Sequence, residues 1–528
     1  MSIIRSLDCT LRDGGYCNNW EFGKENIAKI VNALVESNID VIECGYISEK
    51  HINNSDRSIF TSFDAVDKII PFHKNNSEIV AMINFGEFSC DNIPNKNTTK
   101  LDGIRVAFHK KNIDEALQYC KIVKEKGFKL YVQPMVSLNY SDEEFIRLIK
   151  EVNKIHPEVF YIVDSFGVMK RKDLTRLFYM VEHNLDESIM IGYHSHNNMQ
   201  LAYSNAQSLV NIRTNRNLII DSSTYGMGRG AGNLNTELFV EYLNDSIGAN
   251  YALKPILTII DEVLTPFYQK NYWGYSLSNY LSAKYNSHPN YASYLEDKKT
   301  LTYEAMDEIF SLMDDEKRFS FDKDYIEKLY TRYLENGKAQ EEHLSDFKRM
   351  ISGKTVLVIA PGKSSVDEKE KILDFAKQDG IITFSVNFNY PELDTEYIFL
   401  SNLRRYRELD KSKKEICITT SNIPSVDAYI KTKYSDLLNT EDAVHDNAGL
   451  MMIKFLINLD VKKVYLAGMD GYSTDPSMNY GNERMILYSN KSKYEAINEG
   501  LNNVLNEYSK KIEIEFLTKP RYVRIKEA

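Results

Sequence analysis

Eight short apolar, β-branched runs punctuate the first 225 residues, and they constrain the fold more than anything else in the chain. They are Ile3–Leu7, Val41–Cys44, Ile79–Ile83, Gly103–Ala107, Leu130–Gln133, Tyr161–Val163, Met190–Gly192 and Leu218–Ile220. Between most of them lie amphipathic helical patterns: Glu25–Ser37 (apolar at Ile27, Ile30, Val31 and Leu34), Ile113–Lys126 and Asp142–Ile155. Strands that alternate with helices pair in parallel through right-handed crossovers. Eight such units close most economically into a (β/α)8 TIM barrel. A doubly wound sheet is the rival, but polar residues at nearly every strand end favour the barrel.

The pattern then changes twice. After residue 250 the strand signal disappears, and Lys254–Tyr268, Tyr303–Met313 and Phe321–Asn336 read as helices of an extension packed on the barrel. A polar stretch at Asn336–Glu342 reads as a joint. From Lys354 a new α/β pattern begins, with strands at Thr355–Ile359, Ile382–Val386, Tyr397–Leu400, Ile416–Thr419, Val464–Ala467 and Ile512–Phe516, and a helix at Ala448–Leu459. The expected organisation is a barrel over 1–250, a helical extension over 251–350 and a smaller Rossmann-like α/β domain over 353–528.

Composition excludes some functions. The net charge of −10 argues against a general nucleic-acid binder, which needs a basic face. The six cysteines, at 9, 17, 44, 90, 120 and 417, include no C-x-x-C pair. That argues against a structural zinc site and fits a reduced, cytoplasmic setting without a disulfide scaffold. No stretch is apolar enough for a signal peptide or a membrane span.

Chemistry in such a barrel sits at the C-terminal ends of the strands. The first strand runs into Leu7-Asp8-Cys9-Thr10-Leu11-Arg12-Asp13-Gly14-Gly15-Tyr16, the seventh into Tyr193-His194-Ser195-His196-Asn197-Asn198. Residues i and i+2 of a strand point to the same side, so His194 and His196 reach one metal together. Asp13 supplies an oxygen ligand from across the mouth. Two imidazoles, a carboxylate and open positions suit a catalytic divalent cation. Arg12, always cationic, suits a developing oxyanion. Alone, H-x-H is a common polar strand end and R-D-G a common turn; on strands one and seven of one barrel they reinforce each other. Glu43 ends strand two, where it either approaches the metal or pairs with Arg12. Gln133 ends strand five in reach of substrate, and His288 lies in Asn286-Ser287-His288-Pro289 of the extension, as a site residue or a plain turn.

L-D-C-T-L-R-D-G-G, H-S-H-N-N and G-M-G-R-G-A-G-N (Gly226–Asn233) together resemble the DRE-TIM metallolyase superfamily, over about residues 1–275. That superfamily includes HMG-CoA lyase, isopropylmalate synthase and the 4-hydroxy-2-oxovalerate aldolases. The resemblance implies Asp13, His194 and His196 as metal ligands, with Asn233 at a further ligating position. It implies Arg12 as the group that stabilises an enolate oxygen and Ser165 as a pyruvate-binding serine. Gly15-Tyr16 stand where the isopropylmalate synthases carry Glu-Gln, and Thr224 where HMG-CoA lyase carries its catalytic Cys. The aldolase branch fits best, although Tyr16 replaces that branch's acid/base His. Tyr16 and a hydroxide on the cation both stay open as the base.

In the last domain, Val356–Ile359 runs into Ala360-Pro361-Gly362-Lys363-Ser364-Ser365, a turn able to offer backbone N–H groups to phosphate, though not a Walker A sequence. With Val386-Asn387-Phe388-Asn389, His445-Asp446-Asn447 and Val464–Asp470, it is loosely similar to bacterial sialyltransferases and pterin diphosphokinase-like proteins. That similarity implies a nucleotide or nucleotide-sugar pocket near Gly362, Ser364, Asn387 and Asp470; a scaffold without catalysis is the alternative.

The expected function is therefore a Mn2+- or Mg2+-dependent aldolase. It forms or cleaves a C–C bond through the enolate of pyruvate or a related 2-oxo acid, with an aldehyde as partner. A role in surface-polysaccharide biosynthesis fits the fusion, and an oligomer is the superfamily's usual state. Two rivals remain: an acyl-CoA Claisen-type enzyme on the same barrel, and a nucleotide-binding or transfer protein with a regulatory barrel.

Overall fold

The structure, a computed structural model, describes residues 2–52, 54–70, 74–298, 301–335, 337–423, 426–482, 485 and 491–522. Each of the eight apolar runs is a strand: β1 Ile4–Asp8, β2 Val41–Ile47, β3 Glu78–Asn84, β4 Gly103–Phe108, β5 Lys129–Pro134, β6 Val159–Asp164, β7 Met190–Ser195 and β8 Leu218–Ser222. Sequence neighbours pair in parallel, and β1 pairs with both β2 and β8, which closes the barrel. A two-residue strand, Ile59–Phe60, lies parallel to the end of β2.

Both faces of these strands are buried, which is why the runs read as nearly continuous apolar sequence. Leu7, Val41, Val80, Tyr131, Val159, Tyr161 and Ile219 fill the barrel interior. The alternate residues, among them Ile42, Ile79, Ile104, Leu130, Phe160, Ile191 and Ile220, pack outward into the core beneath the helices. The helix Asp142–Ile155 shows the partner pattern. A Ser141/Glu144 capping box starts it, and Phe145, Leu148, Ile149, Val152 and Ile155 form its buried face. The inward phase that places Val41, Tyr131 and Ile219 inside also places Glu43, Gln133 and Asp221 there, two residues further along each strand.

The chain divides into two compact units, Met1–Tyr294 with Met313–Phe321, and Leu295–Leu312 with Asp322–Ala528. The helical stretch after the barrel is thus shared between them. Leu253–Ile259, Thr265–Lys270 and Leu277–Lys284 belong to the first unit; Tyr303–Ser311, Lys323–Glu335 and Leu344–Ile351 belong to the second. The single helix expected over Lys254–Tyr268 is interrupted by a π-helical turn at Ile260–Leu264. Asn336, at the head of the expected joint, lies outside the described residues.

The second unit holds a seven-stranded parallel sheet: β9 Thr355–Ile359, β10 Ile381–Val386, β11 Tyr397–Leu400, β12 Ile416–Thr420, β13 Ile430–Thr432, β14 Lys463–Ala467 and β15 Glu513–Phe516. The order is β13-β12-β11-β10-β9-β14-β15. The chain winds outward from β9 to β13, then crosses back to β14 on the other side of β9. Of these strands only β13, three residues long, carries no sequence signal. No helix among the described residues is long and apolar enough to cross a membrane.

Candidate active site

At the C-terminal mouth of the barrel lies a cavity of about 250 Å³, lined by Arg12, Asp13, Tyr16, Gln133, Ser165, His194, His196 and His288 among others. Those eight were singled out from sequence, and the fold brings them to one place. Glu43 and Asn233 do not line the cavity but stand directly behind it, as their contacts show.

Asp13, His194 and His196 are all buried, and their ligand atoms lie within 4.8 Å of one another. His194 Nδ1 donates to Asp221 Oδ2 at 3.0 Å, which fixes the tautomer and leaves Nε2 as a free lone pair. His196 Nδ1 is buried without a hydrogen-bond partner, 3.6 Å from Asp13 Oδ2. Asn233 Nδ2 donates to Asp13 Oδ2 at 2.5 Å, while its Oδ1 is buried and unpartnered. Orphaned buried acceptors are rare because they forfeit hydration without return. Here they converge on one carboxylate and two imidazoles, a donor set that suits a divalent cation. Burial lowers the His196 pKa to about 3, outweighing Asp13, so the ring is neutral. Burial opposes ionisation of Asp13 too, but His196, Arg12, His194 and Arg229 hold its pKa well below the usual carboxylate value. The residues present fit the metal that the donor pattern implies.

Behind the ligands runs a buried ring of charge. Arg12 NH1 donates to Asp13 Oδ1 at 2.6 Å and Arg12 Nε to Glu43 Oε2 at 2.8 Å. Glu43 Oε2 lies 2.7 Å from Arg105 NH1, and Arg105 NH2 in turn bonds Asp221, the partner of His194. Tyr161 OH donates to the other Asp221 oxygen at 2.9 Å. Of the two roles left open for Glu43, pairing with Arg12 is the one observed. Burial raises the cost of every charge here, yet Asp221 stays ionised because Arg105 and His194 face it. Burial likewise works against the Arg12 cation, but Glu43 and Asp13 raise its pKa well above the ordinary value. Three atoms of this ring are buried without a hydrogen-bond partner, Glu43 Oε1, Arg105 NH1 and Arg12 NH2, and of the three residues only Arg12 lines the cavity.

The Gly-rich loop closes the site from the side. A Cβ at Gly228 would stand 2.1 Å from Asn233 Nδ2 and 2.7 Å from Asp13 Oδ2, so only glycine admits that approach. Thr224, which stands where HMG-CoA lyase carries its catalytic Cys, does not line the cavity; its Oγ1 donates to buried Asp8 at 2.8 Å. Tyr16 lies at the mouth, 41% exposed, with its OH 3.4 Å from that of Tyr46 and its ring 4.7 Å from Trp20. Ser165 Oγ accepts from Val136 N at 2.9 Å. Gln133 turns its amide oxygen to Arg105, 3.0 Å from Nε. His288 accepts at Nδ1 from Asn290 N, and burial, then Arg229, lowers its pKa to about 3. Sequence reasoning missed Arg105, Asp221 and Arg229.

The second unit has a cavity of about 370 Å³ lined by Gly362, Asn387 and Asp470 but not Ser364. It sits where the strand order reverses beside β9. The phosphate cradle expected from the turn is closed from within. Gly362 N donates to Gly468 O at 2.8 Å, Ser365 N to Gly362 O at 3.0 Å, and Ser364 N to Asp470 Oδ2 at 2.7 Å. The Asp470 carboxylate stands where a phosphate would, and a Cβ at Gly362 would collide with Gly468 O at 2.1 Å. Asn387 caps the far side, accepting from Ser401 N at 3.3 Å.

The HMGL-like family model matches residues 4–262. A 4-hydroxy-2-oxovalerate aldolase of Geobacillus genomosp. 3 is 28% identical over 244 residues, 46% of this chain and 70% of that protein. The protein of the same name from Pelotomaculum thermopropionicum is 26% identical over 268 residues, 49% of this chain and 77% of that one. A solved N-terminal domain of a candidate aldolase from Bacteroides vulgatus aligns at 29% identity with a TM-score of 0.48, covering 57% of this chain and 98% of that one.

Proposed function

We propose, from the premise that residues 4–262 are an HMGL-like domain of the DRE-TIM metallolyase kind, that the barrel is a divalent-metal-dependent carbon–carbon lyase acting through the enolate of pyruvate or a related 2-oxo acid. Asp13, His194 and His196 would hold the ion, with Asn233 Oδ1 as a further oxygen in reach. Such an ion, Mn2+ or Mg2+, supplies Lewis acidity worth several kcal/mol of enolate stabilisation.

One observation carries the reading: the unpartnered Arg12 NH2 in the wall of the same cavity as the three ligands. Arg12's other nitrogens are pinned by Glu43 and Asp13, so the guanidinium cannot swing. Its free N–H is therefore a preorganised donor for oxygen that gains charge as a C–H or C–C bond beside the carbonyl breaks. Ser165 and Gln133 line the cavity within reach of a substrate carboxylate. Tyr16 OH is the proposed proton carrier, since Tyr16 both lines the cavity and is exposed to solvent. Its contact with Tyr46 OH gives the proton a second oxygen. Glu43 and Arg105 act as positioning residues, because neither reaches the cavity.

The test is proton exchange. Protein, Mn2+ or Mg2+ and pyruvate are incubated in D2O, and the methyl signal is followed by proton NMR. Metal-dependent loss of that signal, abolished in His194→Ala and slowed at least about 100-fold in Arg12→Ala, is the expected result. Exchange at the buffer rate would remove pyruvate as donor.

The cavity of the second unit supports a separate reading, a nucleotide-type ligand at the C-terminal ends of β9, β10 and β14, the usual place in an open parallel sheet. Asn387 would contact it as a side chain, since the amides of Gly362, Ser364 and Ser365 and the Asp470 carboxylate already have partners. Calorimetry with nucleoside diphosphates tests this, and binding is expected to survive Arg12→Ala.

A further inference from the structure

Three arginines stand at or behind the barrel cavity, and two of them are matched. Arg12 is paired with Asp13 and Glu43, and Arg105 with Glu43 and Asp221. Arg229 is different. Among the described residues no carboxylate lies within salt-bridge distance of it. NH2 donates to Ser165 O at 3.2 Å, NH1 lies 3.5 Å from His288 Nε2, and Nε is buried without a partner. The guanidinium carbon sits 5.3 Å from the Tyr16 ring centroid, and the side chain lines the cavity.

Charge balance says what such a group awaits. Arg12 and Arg105 face Asp13, Glu43 and Asp221, which leaves one negative charge. A divalent ion and the carboxylate of a bound 2-oxo acid bring that to zero. The Arg229 charge lies outside this balance. This half-buried guanidinium has no carboxylate to face, and its planar fork suits carboxylate or phosphate oxygens. Its neighbours Tyr16 and His288 place it at the mouth, away from the buried end where Arg12 meets Asp13.

Resting on the lyase reading above, we propose that Arg229 is an anion receptor, and that the aldehyde joined or released by the barrel carries its own carboxylate or phosphate. In the joining direction the 2-oxo acid loses a proton from C3 to the base. The resulting enolate carbon bonds the aldehyde carbon, and the aldehyde oxygen keeps the displaced pair and takes a proton. No oxidant or reductant is needed. Arg229 holds the far end of the aldehyde while this happens.

The experiment compares matched acceptors with the metal-loaded full chain and pyruvate: succinic semialdehyde against butanal, and glyceraldehyde 3-phosphate against glyceraldehyde. Wild-type protein is expected to favour one or both anionic members by about 30-fold in kcat/KM, the scale of a charge-assisted contact. The arm that shows the preference identifies carboxylate or phosphate. In Arg229→Gln the anionic-to-neutral ratio is expected to collapse towards one, and Arg229→Lys to restore part of it. Pyruvate exchange in wild-type protein separates the two levels of the argument. Exchange with no anionic preference, or with a ratio unchanged in Arg229→Gln, overturns the receptor and leaves the lyase. Absence of exchange removes pyruvate as donor, and absence of exchange with 2-oxobutanoate as well overturns both.

Discussion

The two cavities of this chain draw on the same residue types, yet they treat hydrogen bonding in opposite ways. In the barrel, Arg12 NH2, His196 Nδ1, Arg229 Nε and, just behind, Asn233 Oδ1 are buried and unpartnered. Among the described residues, no side chain lining the second unit's cavity has such an atom. Its most suggestive group, Asp470, is consumed by the turn it faces. Unsatisfied polar atoms persist in a native fold only where surrounding structure over-determines them. In the barrel the ring from Asp13 through Arg12, Glu43, Arg105 and Asp221 to His194 does so. The barrel site is thus built around atoms it does not supply, whereas the second cavity is closed on itself.

The most damaging way to break that contrast is to cut the ring. Arg105→Met leaves Glu43 and Asp221 as facing buried carboxylates and should cost about 3–5 kcal/mol of stability. Both tryptophans, Trp20 and Trp273, belong to the first unit, so urea unfolding followed by tryptophan fluorescence reads this directly. The matching change in the second unit, Arg405→Met, breaks a pair whose Glu408 side chain is 44% exposed. Neither tryptophan lies in that unit, so its unfolding is followed by circular dichroism and should shift by less than about 1 kcal/mol. Comparable shifts in the two variants would sink the distinction between a structural ring and ordinary ion pairs.

Next in size, Arg12→Ala should slow pyruvate exchange about 100- to 1000-fold, the usual cost of one preorganised oxyanion donor. Glu43 keeps Arg105 in that variant, so the unfolding midpoint should move less than in Arg105→Met. A smaller effect is expected from Asp221→Asn, which removes the carboxylate that sets the His194 tautomer. Calorimetric Mn2+ affinity should fall about 10- to 100-fold. Unchanged affinity would show that His194 is oriented by packing alone.

The same contrast explains what the sequence discloses. The barrel is legible because strands buried on both faces leave apolar runs that nothing else in a soluble chain produces. Asp13, His194 and His196 are legible because an i, i+2 histidine pair and an acidic turn fall at strand ends. Arg105 and Asp221 escape notice because each interrupts an apolar strand, Gly103–Phe108 and Leu218–Ser222, where a lone charge looks like an edge residue. A signal was nonetheless available: inside a closed barrel an inward charge must be paired, and these two have opposite sign. Arg229 stands inside the glycine-rich stretch Gly226–Asn233, where the resemblance points to Asn233 and gives the arginine no role. In the second unit the turn after β9 was read from its glycine and serines. What decides its role is Asp470, more than a hundred residues away in sequence, which no local pattern reveals.

The finest test concerns His288, whose titration reports Arg229 without requiring turnover. Burial first, and the Arg229 cation second, lower its pKa to about 3. An unfolded chain would protonate the same ring near pH 6.5. The folded state therefore binds fewer protons than the unfolded one between those values. On the acid side, His288 makes stability fall as pH drops from about 6.5 towards 3. In Arg229→Gln the second cause is gone and the first remains, so the imidazole should titrate higher than in wild-type protein yet still below 6.5. Imidazole proton NMR, with His288→Gln to assign the signal, measures both. A wild-type value near 6.5 would mean that the ring is hydrated and that Arg229 faces open solvent. Its missing counter-ion would then need no explanation, and the barrel mouth would resemble the self-satisfied cavity of the second unit.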